Sequence, residues 1–173
     1  MQHGKRVTII AVLSLIIASL FGTVAAAKSD VMTMTTQLSG AGEVPAVDTP
    51  ARGVAIIKFT EAGELTFKLN AANIENVLQA HIHIGPAEAN GPVVAFLYPD
   101  GPPPVLIPGR FGGTLASGTI TAADLVGPLT GGTIADLLDE IRAGNAYVNV
   151  HTVQNPAGEI RGQIPGNRGP GSH

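Results

Sequence analysis

Residues 146–164 read AYVNVHTVQNPAGEIRGQI and decide the predicted fold class. Apolar and polar side chains alternate along Ala146–Thr152 and again along Glu159–Ile164, as expected for strands with one buried face. The intervening QNPAG contains the asparagine, proline and glycine that favour a turn. The stretch therefore predicts an antiparallel β-hairpin.

Outward from this hairpin, the sequence predicts short strands separated by turns rich in glycine and proline. A hairpin turn is expected at 61–63, and residues 99–109 are expected to form a proline-rich loop. The predicted strands cover Val31–Leu38, Gly53–Thr60, Glu64–Asn70, Leu78–Ile84, Val93–Tyr98 and Phe111–Ile120.

One amphipathic helix is predicted over Thr133–Ala143. Thr133 and Asp136 have the spacing of a capping box at its start. The apolar residues that form one stripe along it are Ile134, Leu137, Leu138 and Ile141. The sequence therefore predicts a mainly β fold, either an immunoglobulin-like β-sandwich or a partly closed barrel, with one short amphipathic helix.

Residues 1–27 have the pattern of a secretory signal peptide. Lys5 and Arg6 precede an uncharged apolar stretch, and small residues precede the expected cleavage before Lys28. A retained membrane anchor is the alternative, because the apolar segment approaches the ~20 residues that cross a bilayer. We expect a periplasmic or extracellular protein without a membrane span after cleavage, with one domain over 28–164 and a flexible tail over 165–173.

Composition excludes several classes of function. The formal net charge of −3 and the 4% aromatic content without tryptophan argue against nucleic-acid binding. The lack of cysteine excludes disulfides, thiol catalysis and cysteine-bound metal. Neither a phosphate-binding loop nor a nucleophile elbow occurs, so no catalytic residue is assigned and a binding or structural role is favoured over an enzyme.

Three predicted strands carry an unusual polar face opposite their apolar face. A solvated sheet face is usually built from lysine, glutamate, threonine and serine, whereas these faces contain histidines, amides and an arginine. A macromolecular partner, such as an extracellular or envelope protein, is one expected occupant of such a surface. The faces comprise Gln79, His81 and His83; Tyr147, Asn149 and His151; and Glu159, Arg161 and Gln163.

The histidines of these faces also predict a metal site. His81 and His83 project from the same face of one strand, and His151 lies on a like face of another. Three neutral imidazoles without thiolates suit one Cu(II) or Zn(II) ion. Because the metal-binding imidazole is neutral, metal binding at these histidines is expected to weaken as the pH falls through about 6.5.

Neighbouring polar residues have several expected roles. Glu159 and Asn149 are candidates to orient a metal-bound imidazole. Arg161 is a candidate to steer an anion or to pair with a carboxylate, and Tyr147 is interpreted as a half-buried sheet residue. The alternative to a metal site is that the histidines bond loop carbonyls and hold the loop at 85–92.

Five separated motifs give the chain a family resemblance. They stand at 38–47 (LSGAGEVPAV), 80–86 (AHIHIGP), 90–94 (NGPVV), 143–152 (AGNAYVNVHT) and 156–164 (PAGEIRGQI). This ordered set resembles the CHRD domain. The resemblance implies an extracellular, immunoglobulin-like barrel or sandwich that acts as a secreted binding or structural module.

The candidate site alone is similar to that of copper–zinc superoxide dismutase. That enzyme family takes copper ligands from a His-x-His strand pair and a distant histidine, with an arginine nearby. His81, His83, His151 and Arg161 would play those parts. The chain departs from that family in having no cysteine and no cluster of zinc-binding histidines. The similarity implies a copper or zinc protein, with superoxide dismutation as one candidate activity.

Overall fold

The computed structural model describes residues 32–59 and 63–166. It confirms a mainly β protein, with 52% strand and one α-helix in the described part. The strands are β1 (Met32–Ser39), β2 (Arg52–Phe59), β3 (Leu65–Ile84), β4 (Val93–Tyr98), β5 (Ile107–Ile120), β6 (Ala146–Thr152) and β7 (Ile160–Gln163), and the helix is α1 (Ile134–Arg142).

Five strands close into a barrel in the order β2, β1, β7, β6 and β3, because β3 also pairs with β2. The first part of β3 pairs with β2 and its last part pairs with β6. This one strand therefore closes the barrel, and we call it the seam strand. The predicted barrel is therefore fully closed, and the immunoglobulin-like sandwich is not confirmed.

The predicted strands 64–70 and 78–84 are one continuous strand. Between them, Ile74 and Val77 are fully buried, while Asn73 and Asn76 have positive φ angles of 54° and 52°. Asparagine tolerates this left-handed conformation better than most residues. The register with β5 shifts at the same place, so β3 bends without ending.

The two remaining strands both pair with β3, outside the ring. β4 matches its predicted range, whereas β5 begins at Ile107 instead of Phe111 and so takes in the end of the expected loop. The signal peptide predicted at 1–27 lies outside the described residues. Most of the hairpin turn predicted at 61–63 lies outside them as well. No helix in the described part of the chain combines the length and hydrophobicity needed to cross a membrane.

The capping box predicted for α1 is present. The Thr133 backbone N–H donates to Asp136 Oδ2 at 2.7 Å, and the Asp136 backbone N–H donates to Thr133 Oγ1 at 3.3 Å. All four predicted stripe residues are buried, and Gly144, with φ of 72°, follows the helix. The helix packs beside β6, the central strand of the candidate site.

The apolar faces of β3, β6 and β7 enter the hydrophobic core, which leaves their polar faces on the other side of the sheet. Two segments cover those polar faces. The first covering loop, residues 40–51, follows β1, and the second covering loop, residues 85–92, follows β3. As a result, every residue of β6 is buried, on both faces of the strand.

Candidate functional site

Strand register places the three predicted polar faces side by side. In the β3–β6 ladder, Gln79 lies opposite His151 and His81 lies opposite Asn149. In the β6–β7 ladder, Asn149 lies opposite Arg161. His81 and His151 are therefore diagonal neighbours, close enough for their side chains to touch. The faces predicted separately from the sequence form one polar surface.

The three histidines converge within this surface. Each offers a ring nitrogen, and these ligand atoms all lie within 4.8 Å of one another. The Nδ1 of His81 and the Nε2 of His151 are 3.2 Å apart. The exposed fractions of His81, His83 and His151 are only 3%, 8% and 6%. The cluster is therefore a buried site, and its face is not an exposed surface on which a partner could dock, contrary to one expectation from the sequence.

Backbone carbonyls fix the proton on two of the rings. His83 Nδ1 donates to the carbonyl of Gly91 at 2.9 Å, and His151 Nδ1 donates to the carbonyl of Pro156 at 3.0 Å. A carbonyl only accepts, so in each neutral ring Nε2 carries the lone pair. His151 Nε2 therefore accepts from His81 Nδ1, which leaves the Nε2 of His81 unprotonated as well.

Two of these lone pairs have no partner. Among the described residues, the buried side-chain atoms without a hydrogen bond are His81 Nε2, His83 Nε2 and Asn149 Oδ1. An unsatisfied buried polar atom costs about 1–3 kcal/mol. Two unpaired nitrogens in one histidine cluster therefore destabilise the fold unless they bind a ligand.

Burial keeps all three imidazoles neutral. Loss of solvation lowers the pKa of His81 from 6.5 to about 3, with a further contribution from His151 and His83. Burial likewise lowers the pKa of His83 to about 4, partly opposed by its bond to Gly91, and lowers the pKa of His151. Neutral imidazole is the form that binds metal, so the site is ready to do so well below neutral pH.

Arg161 and Tyr147 form a stack against one of the histidines. The rings of His83 and Tyr147 are 8° from parallel with centroids 4.8 Å apart, and Arg161 Cζ lies 3.5 Å from the Tyr147 centroid. Tyr147 is fully buried where the sequence indicated a half-buried residue. The stack joins the cation of Arg161 to the histidine cluster through one aromatic ring.

The guanidinium of Arg161 holds the second covering loop. It donates to the carbonyl of Pro86 at 2.7 Å, to the carbonyl of Ala89 at 3.1 Å and to Asn90 Oδ1 at 3.2 Å. The Gly91 backbone N–H donates to the hydroxyl of Tyr147 at 3.0 Å. Arg161 also donates to Gln163 Oε1 at 3.4 Å, so its described hydrogen bonds go to three loop oxygens and one amide, where the sequence suggests an anion or a carboxylate.

Glu159 and Asn149 make their bonds away from the histidines. Glu159 accepts from the hydroxyls of Thr49 and Thr152 at 2.7 and 2.6 Å. Asn149 Nδ2 donates to both carboxylate oxygens of Glu43, at 2.8 and 3.0 Å. The groups that orient His83 and His151 are instead the two carbonyls of Gly91 and Pro156.

Glu43 is a site residue that the sequence analysis missed. It is buried, and this burial raises its pKa from 4.5 to about 7, although the charge of Arg161 and the bond from Asn149 act in the opposite direction. A single glutamate in a glycine-rich segment gives no local sign of burial. A signal in the sequence is the motif LSGAGEVPAV at 38–47, which contains Glu43.

Comparison with models of known protein families gives a match. The family model described as the CHRD domain matches residues 34–164, which is most of the chain. No curated protein and no solved structure matches the chain. The matched residues include the helix, both covering loops and all three histidines, and the resemblance drawn from the sequence motifs is confirmed.

Proposed function

The chain belongs to the CHRD domain family, and from this premise we propose that it is an exported domain that holds one copper or zinc ion between His81, His83 and His151. The signal-peptide pattern of residues 1–27 supports delivery to the periplasm or the extracellular space. The convergence of three buried ring nitrogens within 4.8 Å carries the metal proposal.

The spacing of the nitrogens suits a metal ion. Two nitrogens bound at 2.0–2.1 Å to one tetrahedral ion lie about 3.3 Å apart. The distance of 3.2 Å between His81 Nδ1 and His151 Nε2 matches this spacing. His81 can offer Nδ1 once its proton moves to Nε2, and His83 already offers Nε2. The carbonyl bonds of His83 and His151 are of the kind that orient metal-bound imidazoles.

The bare nitrogens favour a metal site over histidines that only fasten the fold. His83 and His151 do fasten the loops, because each donates from Nδ1 to a loop carbonyl. Fastening explains the Nδ1 atoms of His83 and His151 and leaves the Nε2 atom of His83, a ligand in the proposed site, without a role. Since Arg161 is occupied by loop oxygens, metal holding is better supported than superoxide chemistry. A binding or structural module of the envelope is the function that remains if no metal binds.

Metal titration tests the proposal directly. Protein purified after expression of the full chain, and stripped with a chelator, should take up one equivalent of copper or zinc per chain at neutral pH. His83→Ala and His151→Ala should each weaken binding about 100-fold or more, because each removes a ligand. Asp139→Ala is the control, since this exposed carboxylate belongs to the ion pair with Arg142 and not to the cluster, and it should leave binding unchanged. Failure of the parent protein to take up stoichiometric metal would reject the proposal.

Metal uptake should resist acid further than an ordinary histidine site does. The pKa values of about 3 for His81 and about 4 for His83 mean that protons compete with the metal only near those values. The pKa of His151 is lowered as well, so affinity should decline less between pH 7 and pH 5 than it would if the three imidazoles kept pKa values of 6.5. Affinity measured by chelator competition, with circular dichroism to verify folding, checks this. A steady decline that begins at pH 6.5 would mean that the imidazoles are solvated.

A further inference from the structure

The candidate ligands of the histidine cluster are all neutral side chains. Within the described residues, the candidate ligand set consists of histidines alone, without an aspartate or glutamate. The two buried carboxylates nearby are occupied, Glu159 by two threonine hydroxyls and Glu43 by Asn149. No carboxylate of this network therefore contributes a negative charge as a ligand.

A fixed positive charge lies behind one ligand. Arg161 Cζ is 3.5 Å from the Tyr147 ring, and that ring stacks on His83. Arg161 is only 2% exposed, so its charge is poorly screened by water. A divalent ion meets twice the repulsion from Arg161 that a monovalent ion meets.

Burial penalises a divalent ion further. The cost of moving an ion from water into a medium of low dielectric constant scales with the square of its charge, so a divalent ion pays about four times as much as a monovalent one of equal size. The edge of Phe96 packs against His81, with ring centroids 4.8 Å apart, which adds an apolar wall to the site. Imidazole itself binds both copper and zinc, so the ligand type does not decide between them.

We infer that the cluster of His81, His83 and His151 binds Cu(I) in preference to Cu(II) and Zn(II). Three neutral ligands complete a common coordination of Cu(I), whereas Zn(II) requires a fourth ligand. The inference rests on the proposed function and adds the identity and charge of its metal. Because Cu(I) binds more tightly than Cu(II), the bound copper has a raised reduction potential.

Competition titrations with the metals alone test this inference. Cu(I) is offered under ascorbate and without oxygen against bicinchoninate, Cu(II) against nitrilotriacetate, and Zn(II) against a fluorescent zinc chelator. We expect one Cu(I) per chain, bound at least about 100-fold more tightly than Cu(II) or Zn(II). Tighter or equal binding of a divalent ion at the histidines would overturn the inference and leave the proposed function standing. Binding of none of the three ions would overturn both.

The contribution of charge can be isolated at Arg161. Arg161→Lys keeps a positive charge and should keep most of the ratio of Cu(I) to Cu(II) affinity, whereas Arg161→Gln should lower the ratio about tenfold. The ratio is the informative quantity, because a purely structural loss weakens both ions alike. An unchanged ratio in folded Arg161→Gln would overturn the charge argument. If that variant does not fold, the titrations of the parent protein decide the inference.

Discussion

Replacement of Arg161 by methionine should lower the free energy of unfolding by about 4 kcal/mol. Methionine can fill much of the buried space, but it cannot donate to the carbonyls of Pro86 and Ala89 or to the side chain of Asn90. Those oxygens lose a charged donor, and a hydrogen bond to a charged group contributes about 1.5–3 kcal/mol. The stack on Tyr147 is lost as well.

The same substitution should weaken metal binding about tenfold or more, because the second covering loop orients His83 through Gly91. Urea unfolding and chelator competition measure the two effects. Arg142→Met is the matched control. Arg142 is 50% exposed and its ion pair with Asp139 is 3.4 Å long, so its loss should cost no more than about 0.5 kcal/mol. If Arg161→Met costs as little as this control, Arg161 does not hold the loop.

The metal-free protein should lose stability steeply in mild acid. The pKa values of His81, His83 and His151 are lowered in the folded protein, so below pH 6.5 the unfolded chain binds up to three protons that the folded chain refuses. Their stabilising contribution is complete above pH 6.5 and is lost as the pH falls toward the folded values of about 4 and 3. Each additional proton bound by the unfolded chain changes the free energy of unfolding by about 1.4 kcal/mol per pH unit.

Glu43 acts with the opposite sign. Its pKa is raised to about 7, so between pH 4.5 and pH 7 the folded protein holds a proton that the unfolded chain has released. His81 and His83 together account for about two protons and Glu43 offsets one, so these three groups give a net difference of about one proton between pH 6.5 and 4.5, a loss of about 1.4 kcal/mol per pH unit. The lowered pKa of His151 adds to this loss.

Urea unfolding of metal-free protein at several pH values between 7 and 4 measures this slope. His81→Gln removes one titrating group, so it should reduce the slope by about 1.4 kcal/mol per pH unit. A stability that is flat from pH 6.5 to 4.5 would show that the histidines are accessible to protons in the folded state.

The fold could be predicted from the sequence wherever a local pattern controls it. Alternation along Ala146–Thr152 predicted β6, and the Thr133–Asp136 spacing predicted the start of α1. Closure of the barrel could not be predicted in this way. It depends on the bend near Asn73, which joins two predicted strands into one, and on the pairing of the end of that strand with β6. Such pairings are fixed by the whole sheet and leave no local period.

The candidate site, like the fold, could be predicted only where a local sequence pattern controls it. His81, His83 and His151 were assigned to like faces by strand alternation, and the register brings those faces together. The first covering loop could not be predicted, because Glu43 reaches Asn149 across 106 residues of sequence. The polar faces were read as exposed for the same reason. A polar face can be buried when distant segments supply its hydrogen-bond partners, as the two loops do here.

The seam strand β3 also sets an order of events during synthesis. His81 and His83 lie at its end, but the third histidine of the cluster, His151, follows 70 residues after His81. The ring closes through β6 and β7, the last two strands of the described chain. A polypeptide emerging with its N-terminus first therefore has neither a sealed ring nor a complete ligand set until this final hairpin has been made. A metal held as proposed would accordingly be acquired after β6 and β7 have been made, in the compartment where the chain folds.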